Sequence, residues 1–134
     1  MTRLPDWRPR LADYIAATRR RPFKYGEQDC ATFAAGAVKT MTGHDPLSDL
    51  SLDYSTYPGG IRALRRQGHA DHIALARALL PEIPIAEARM GDLAVLPGHG
   101  GEALGLVGGP TVLAPGEDGL RVAPLTDATT AFKV

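Results

Sequence analysis

Cys30 is the single cysteine among 134 residues, and the stretch Arg21-Pro22-Phe23-Lys24-Tyr25-Gly26-Glu27-Gln28-Asp29-Cys30-Ala31-Thr32-Phe33 sets it where an irregular loop turns into a helix. A thiol in the first turn of a helix faces unpaired backbone N–H groups and the positive end of the helix dipole. Both favour the thiolate, the nucleophilic form. The chemistry this position permits is attack on a carbonyl carbon, with a nearby base to manage the proton. The competing role is a small apolar side chain filling a core position. His69, Asp71 and His72 form a second candidate group, since residues three apart on a helix share a face and all three types bind metals. That spacing is nonspecific, and polar residues opening a helix are ordinarily caps and solvated side chains, so no metal or other cofactor is expected.

Composition narrows the functional classes. Hydrophobic residues make up 44% and charged residues 22%, as in a folded globular protein, and 134 residues suffice for one domain, 1–134, around a single core. Fifteen basic residues balance fifteen acidic ones, so no net field draws the chain to nucleic acid or anionic lipid. Arg19, Arg20 and Arg21 stand alone as a basic cluster and suit the end of a helix better than a nucleic-acid patch. One cysteine cannot form an internal disulfide, so the fold is independent of redox compartment. The N-terminal residues carry charges and Pro5 where a secretory signal has its apolar core, and no apolar run is long enough to span a bilayer. The expectation is a soluble product made in the cytoplasm and carried outside, if it acts there, by a larger assembly.

The elements that must position Cys30 follow from periodicity. Asp6 is the expected cap of a helix from about Arg8 to Arg20, with Leu11, Tyr14, Ile15 and Thr18 on one face. Asp29 is the expected cap of the central helix, on which Phe33, Ala34, Ala37, Val38 and Met41 repeat at helical spacing before Gly43 stops it. Its many small residues, Gly36 among them, permit close approach of a neighbouring helix. The turn-rich segment from His44 to Tyr57 reads as a surface loop without identifiable chemistry. Two short helices, about Gly59 to Gln67 and Ala70 to Leu80, follow. Past Pro84, four β-like runs, Asp92–Leu96, Ala103–Val107, Thr111–Ala114 and Leu120–Val122, are separated by Gly and Pro clusters. Helices first and strands afterwards predict an α+β fold with helices packed on a small antiparallel sheet.

Pro22, Phe23, Tyr25, Gly26, Asp29, Cys30 and Phe33, then Gly91-Asp92-Leu93, then Ala103-Leu104-Gly105-Leu106-Val107, together resemble the NlpC-type papain-like cysteine peptidases, which cleave peptide stems of bacterial cell walls. The match spans most of the chain. It is closer still to a compact subgroup associated with phage tails and gene-transfer-agent-like clusters, down to Val122-Ala123-Pro124-Leu125 and Ala131-Phe132-Lys133-Val134. The resemblance implies a papain-like fold, Cys30 as nucleophile, Asp29, Tyr25 and Ala103 lining the site, backbone N–H groups at the helix start stabilising the oxyanion, and a cell-wall peptide and tail-tip proteins as partners. The chain departs from the pattern at the base: the strand position that carries histidine in the family is Ala103, two before Gly105. Leu113-Ala114-Pro115 replaces the polar orienting group. The nearest substitute along the chain is His99, in the loop Pro97-Gly98-His99-Gly100-Gly101-Glu102. No histidine precedes Cys30, which excludes the permuted order. Two readings stay open: a cysteine peptidase using Cys30 and His99, and a catalytically inactive structural or binding component of a phage-type tail.

Overall fold

The computed structural model describes residues 2–98 and 101–134. Among them, four helices precede the sheet: α1 (Trp7–Thr18), α2 (Cys30–Thr42), α3 (Tyr57–Arg66) and α4 (His72–Leu79). Strands β1 (Glu82–Ile83), β2 (Leu93–Gly98), β3 (Gly101–Val107), β4 (Thr111–Gly116), β5 (Gly119–Pro124) and β6 (Thr130–Phe132) form one sheet in the order β1-β6-β2-β3-β4-β5, with every pairing antiparallel. The α+β expectation holds. No described helix is long and apolar enough to cross a membrane.

β2 is the spine of the sheet. Leu93 and Val95 join Phe33, Val38, Met41, Leu106 and Phe132 in the main core beneath the helices. Ala94 and Leu96, one pleat apart, point to the opposite face and pack with Val107, Val112 and Ala128. Burial on both faces explains why this strand reads as an unbroken apolar run. The cover on that second face comes from two short 3₁₀ turns, Ile85–Glu87 and Leu125–Asp127, contributing Ile85 and Leu125. Neither these turns nor β1 and β6 have a periodic signature in sequence, because two or three residues are too few to show one.

α2 lies against α1 on one side and β3 on the other. A Cβ at Gly36 would fall 2.3 Å from the Tyr14 hydroxyl, so the close approach of α1 and α2 requires glycine there. Tyr14 stacks on Phe33 and donates to its carbonyl at 2.7 Å. Asp29 caps α2 as expected, and Gly43 ends it in the left-handed region with its N–H on Lys39. At α1 the expectation fails in detail: Asp6 occupies the N-cap but makes no side-chain cap bond, pairing instead with Arg10 at 2.8 Å. The helix also ends at Thr18, leaving the arginine triplet beyond it.

Asp92 ties the N-terminal segment to the sheet. Its carboxylate, 4% exposed, accepts from Arg3 Nη2 at 3.0 Å, Val134 N at 3.0 Å and Arg89 N at 2.9 Å. Arg3 in turn stacks over Trp7 and donates to the carbonyls of Met90 and Val134. Removing one member of a buried, hydrogen-bonded ion pair strands the others. We therefore expect Asp92→Ala to destabilise the fold by about 3 kcal/mol, read as a lowered urea midpoint at unchanged slope.

Candidate active site

Cys30 is the first residue of α2, and the geometry that holds it there centres on Asp29. The Asp29 carboxylate is 3% exposed and all its acceptor capacity is used. Oδ1 takes the Thr32 N–H at 2.8 Å and the Thr32 hydroxyl at 3.0 Å, while Oδ2 takes the Gly26 N–H at 2.9 Å and the hydroxyl of Tyr54. Thr32 Oγ1 reciprocates by accepting the Asp29 N–H at 2.9 Å, closing a capping box. A helix start leaves four N–H groups without helical partners. Here the box satisfies those of Asp29 and Thr32, so the Cys30 and Ala31 N–H groups remain at the mouth of α2 without a partner among the described residues.

The loop before Cys30 is folded tightly by Lys24 and Gln28, which pair as an isolated bridge. Gly26 sits at φ +85°, and a Cβ there would lie 2.3 Å from the Tyr54 carbonyl, so only glycine lets the loop pass this close. Phe23 and Tyr25 meet edge to face at 4.7 Å, which aims Tyr25 at the cavity beside Cys30. Burial raises the pKa of Tyr25 first of all, and the neighbouring Cys30 and Asp29 act in the same direction. For Tyr54, burial and then its donation to Asp29 push the hydroxyl well above its ordinary range, so it remains a donor. The segment His44 to Tyr57, read from sequence as a chemically silent surface loop, thus supplies Tyr54 and one wall of the site.

The imidazole at Cys30 comes from an unexpected place. His72, first residue of α4, is 8% exposed and turned inward rather than solvated. Its Nε2 donates to the Glu102 carbonyl at 2.8 Å, and the ring lines the same cavity as Cys30. Burial lowers the His72 pKa, but hydrogen bonding to Cys30 and the charge on its sulfur outweigh burial, and with the Glu102 carbonyl and Asp71 they push it up to about 9. Asp71 caps α4 through Ala74 N at 2.8 Å. The suspected group of His69, Asp71 and His72 therefore separates: Asp71 caps α4, His72 lines the cavity at Cys30, and His69 lies outside that cavity's lining. No cluster of three metal-binding side chains occurs among the described residues.

Of the residues singled out by sequence, Cys30, Asp29 and Tyr25 line one cavity together with His72. Ala103 pairs with Leu96 in β3 and is absent from that cavity's wall. Its neighbour Glu102 offers the carbonyl that His72 binds, so the ring docks beside the strand position where a histidine was expected. His99 lies outside the described residues. His72 escaped sequence reasoning because 42 positions separate it from Cys30 and its caplike context masks it. The one available signal was its place on the inward face of α4 with Ile73, Leu75 and Ala76.

Helices on an antiparallel sheet, with a thiol at the start of the central helix, define an NlpC-type papain-like fold. The chain superposes on a crystal structure of the NlpC/p60 domain of the peptidoglycan hydrolase SagA with a TM-score of 0.56, covering 94% of this chain and 97% of that one at 16% sequence identity. It belongs to the family described as Domain of unknown function (DUF6950), whose profile matches residues 2–134. No curated protein matches it.

Two outcomes follow from this geometry. Asp29→Ala should cost about 2 kcal/mol or more, beyond an ordinary cap, because it also frees Gly26 N and the Tyr54 hydroxyl; thermal unfolding checks it. His72, with its folded pKa above the ordinary 6.5, adds stability that is fully present below pH 6.5 and lost as pH rises through about 9. The stability difference between wild type and His72→Gln should shrink over that window in denaturant titrations.

Proposed function

We propose that the chain is an NlpC-like cysteine peptidase acting on bacterial cell-wall peptides, with Cys30 as nucleophile and His72 as its acid–base partner. The observation that carries this reading is the buried His72 ring, tethered through Nε2 to Glu102 and lining one cavity with Cys30. A base fixed in tautomer and orientation by a carbonyl is what nucleophilic catalysis by a thiol needs. The likeness to a domain of a peptidoglycan hydrolase supports the substrate class.

In the proposed reaction the Cys30 sulfur attacks an amide carbonyl carbon. The developing oxyanion is met by the Cys30 and Ala31 N–H groups left open at the mouth of α2. As the C–N bond breaks, His72 gives its proton to the departing amine, and the acyl group stays on sulfur as a thioester. Water then attacks the thioester, His72 takes the water's proton, and the carboxylic acid leaves with the thiolate restored. The pKa of about 9 keeps His72 protonated at neutral pH, so the donor for the amine is present at the moment it is needed.

The same reading places the protein in a phage-type tail tip, on the likeness of residues 122–125 and 131–134 to the tail-associated subgroup. In that setting the virion delivers the protein to the wall. The second reading, an inactive structural component of the tail, is favoured by Ala103 at the family's histidine position.

The test is alkylation of Cys30 by iodoacetamide at pH 7, followed by mass spectrometry. Wild type should label rapidly, and His72→Ala should slow labelling at least tenfold and lower cleavage of purified peptidoglycan by about 10²-fold or more. Labelling of His72→Ala at the wild-type rate would sink the dyad. Infectivity that survives Cys30→Ala but not deletion of the protein would favour the structural reading.

A further inference from the structure

Resting on that reading, we propose that the site selects substrates whose residue beside the scissile bond carries an uncharged, apolar side chain. The cavity at Cys30 opens between α3 and the loop that precedes it, and Leu52, Tyr54, Tyr57, Ile61 and Leu64 make its walls. Gly60 keeps it open: a Cβ there would press on the Tyr54 ring at 3.0 Å. Among the described residues two charged groups border this cavity, and both are already committed. Asp29 accepts four hydrogen bonds from within the protein and has no capacity left for an ammonium group. His72 spends its Nε2 hydrogen on the Glu102 carbonyl and, in the proposed dyad, faces Cys30 with its other side, so it is not free to serve as a counter-ion for a substrate carboxylate. No lysine or arginine lines the cavity. A charged side chain entering it loses water and gains no partner, an unfavourable exchange.

The other side of His72 has the same character. A second cavity shares Ala31, His72 and Leu75 with the first and continues between α2 and α4 along Val38, Leu79 and Leu104. Apolar surface thus flanks the imidazole on both sides. Selection here works by exclusion, since the walls hold little that would bind a small side chain tightly and nothing that would compensate a charge.

The inference is tested with three chloromethyl ketones, the N-acetylated derivatives of alanine, glutamate and lysine. In each, the Cys30 thiolate forms a C–S bond as the C–Cl bond breaks and chloride leaves. Rates are normalised to the reaction of each probe with free cysteine. The alanine probe should label at least tenfold faster than either charged one. Tyr57→Arg, a substitution at an exposed wall position, should shift the preference toward the glutamate probe by severalfold. Equal rates for the three probes, a faster charged probe in wild type, or an unchanged alanine-to-glutamate rate ratio in folded Tyr57→Arg would overturn the inference. Iodoacetamide run in parallel separates it from the dyad: labelling that depends on His72 without any ordering of the probes defeats the selectivity alone, and labelling indifferent to His72 defeats the peptidase reading beneath it.

Discussion

The site depends on one carboxylate. Asp29 joins three segments: the glycine turn before Cys30, the first turn of α2, and the loop carrying Tyr54. Each bond has a charged acceptor, which makes it stronger than a neutral one, and burial at 3% exposure keeps water from competing. With Asp29 saturated, the role left to it is architectural. It fixes the backbone around Cys30 and presents the adjacent N–H groups outward, while taking no part in proton transfer.

The histidine has a different provenance from the one the resemblance implied. The resemblance implied a ring projecting from a strand; here Ala103 stands at that position, and the ring comes down from α4 onto the neighbouring Glu102 carbonyl. The two routes converge because α4 packs on β3, so a side chain leaving the helix start reaches the same place as one rising from the strand. The orienting group changes with it. Instead of a polar side chain on the next strand, a main-chain carbonyl does the work, which agrees with the apolar residues Leu113 and Ala114 where that side chain was sought.

The parts of this arrangement legible in sequence are those encoded locally. Asp29, the helical spacing from Phe33 to Met41 and Gly43 all lie within one element, so α2 and the thiol at its start could be read with nothing else known. The four longer strands were likewise bounded by Gly and Pro. His72 and Tyr54 were illegible for one shared reason: each acts on a residue 25 or more positions away, and each sits in a local context with an ordinary explanation, a helix start and a polar loop. The edge strands β1 and β6 were lost because their pairing with each other and with β2 is a tertiary fact.

Relocating the ring carries an electrostatic cost that the rest of the site must offset. His72 is the first residue of α4, where the helix dipole disfavours a cation, and burial disfavours it further. Cys30 is also the first residue of a helix, and there the same dipole favours an anion. The two helix starts are therefore matched to opposite needs, one helping its charge and the other opposing it. What holds a proton on His72 is the sulfur itself, aided by the Glu102 carbonyl and Asp71. The protonated ring is thus conditional on its partner, and the pair forms one unit: a thiol lost to acylation takes with it the main support of the imidazolium. In the proposed reaction, once the amine has received its proton and the acyl group occupies sulfur, the neutral ring is favoured. That is the form able to take a proton from the water that completes the turnover.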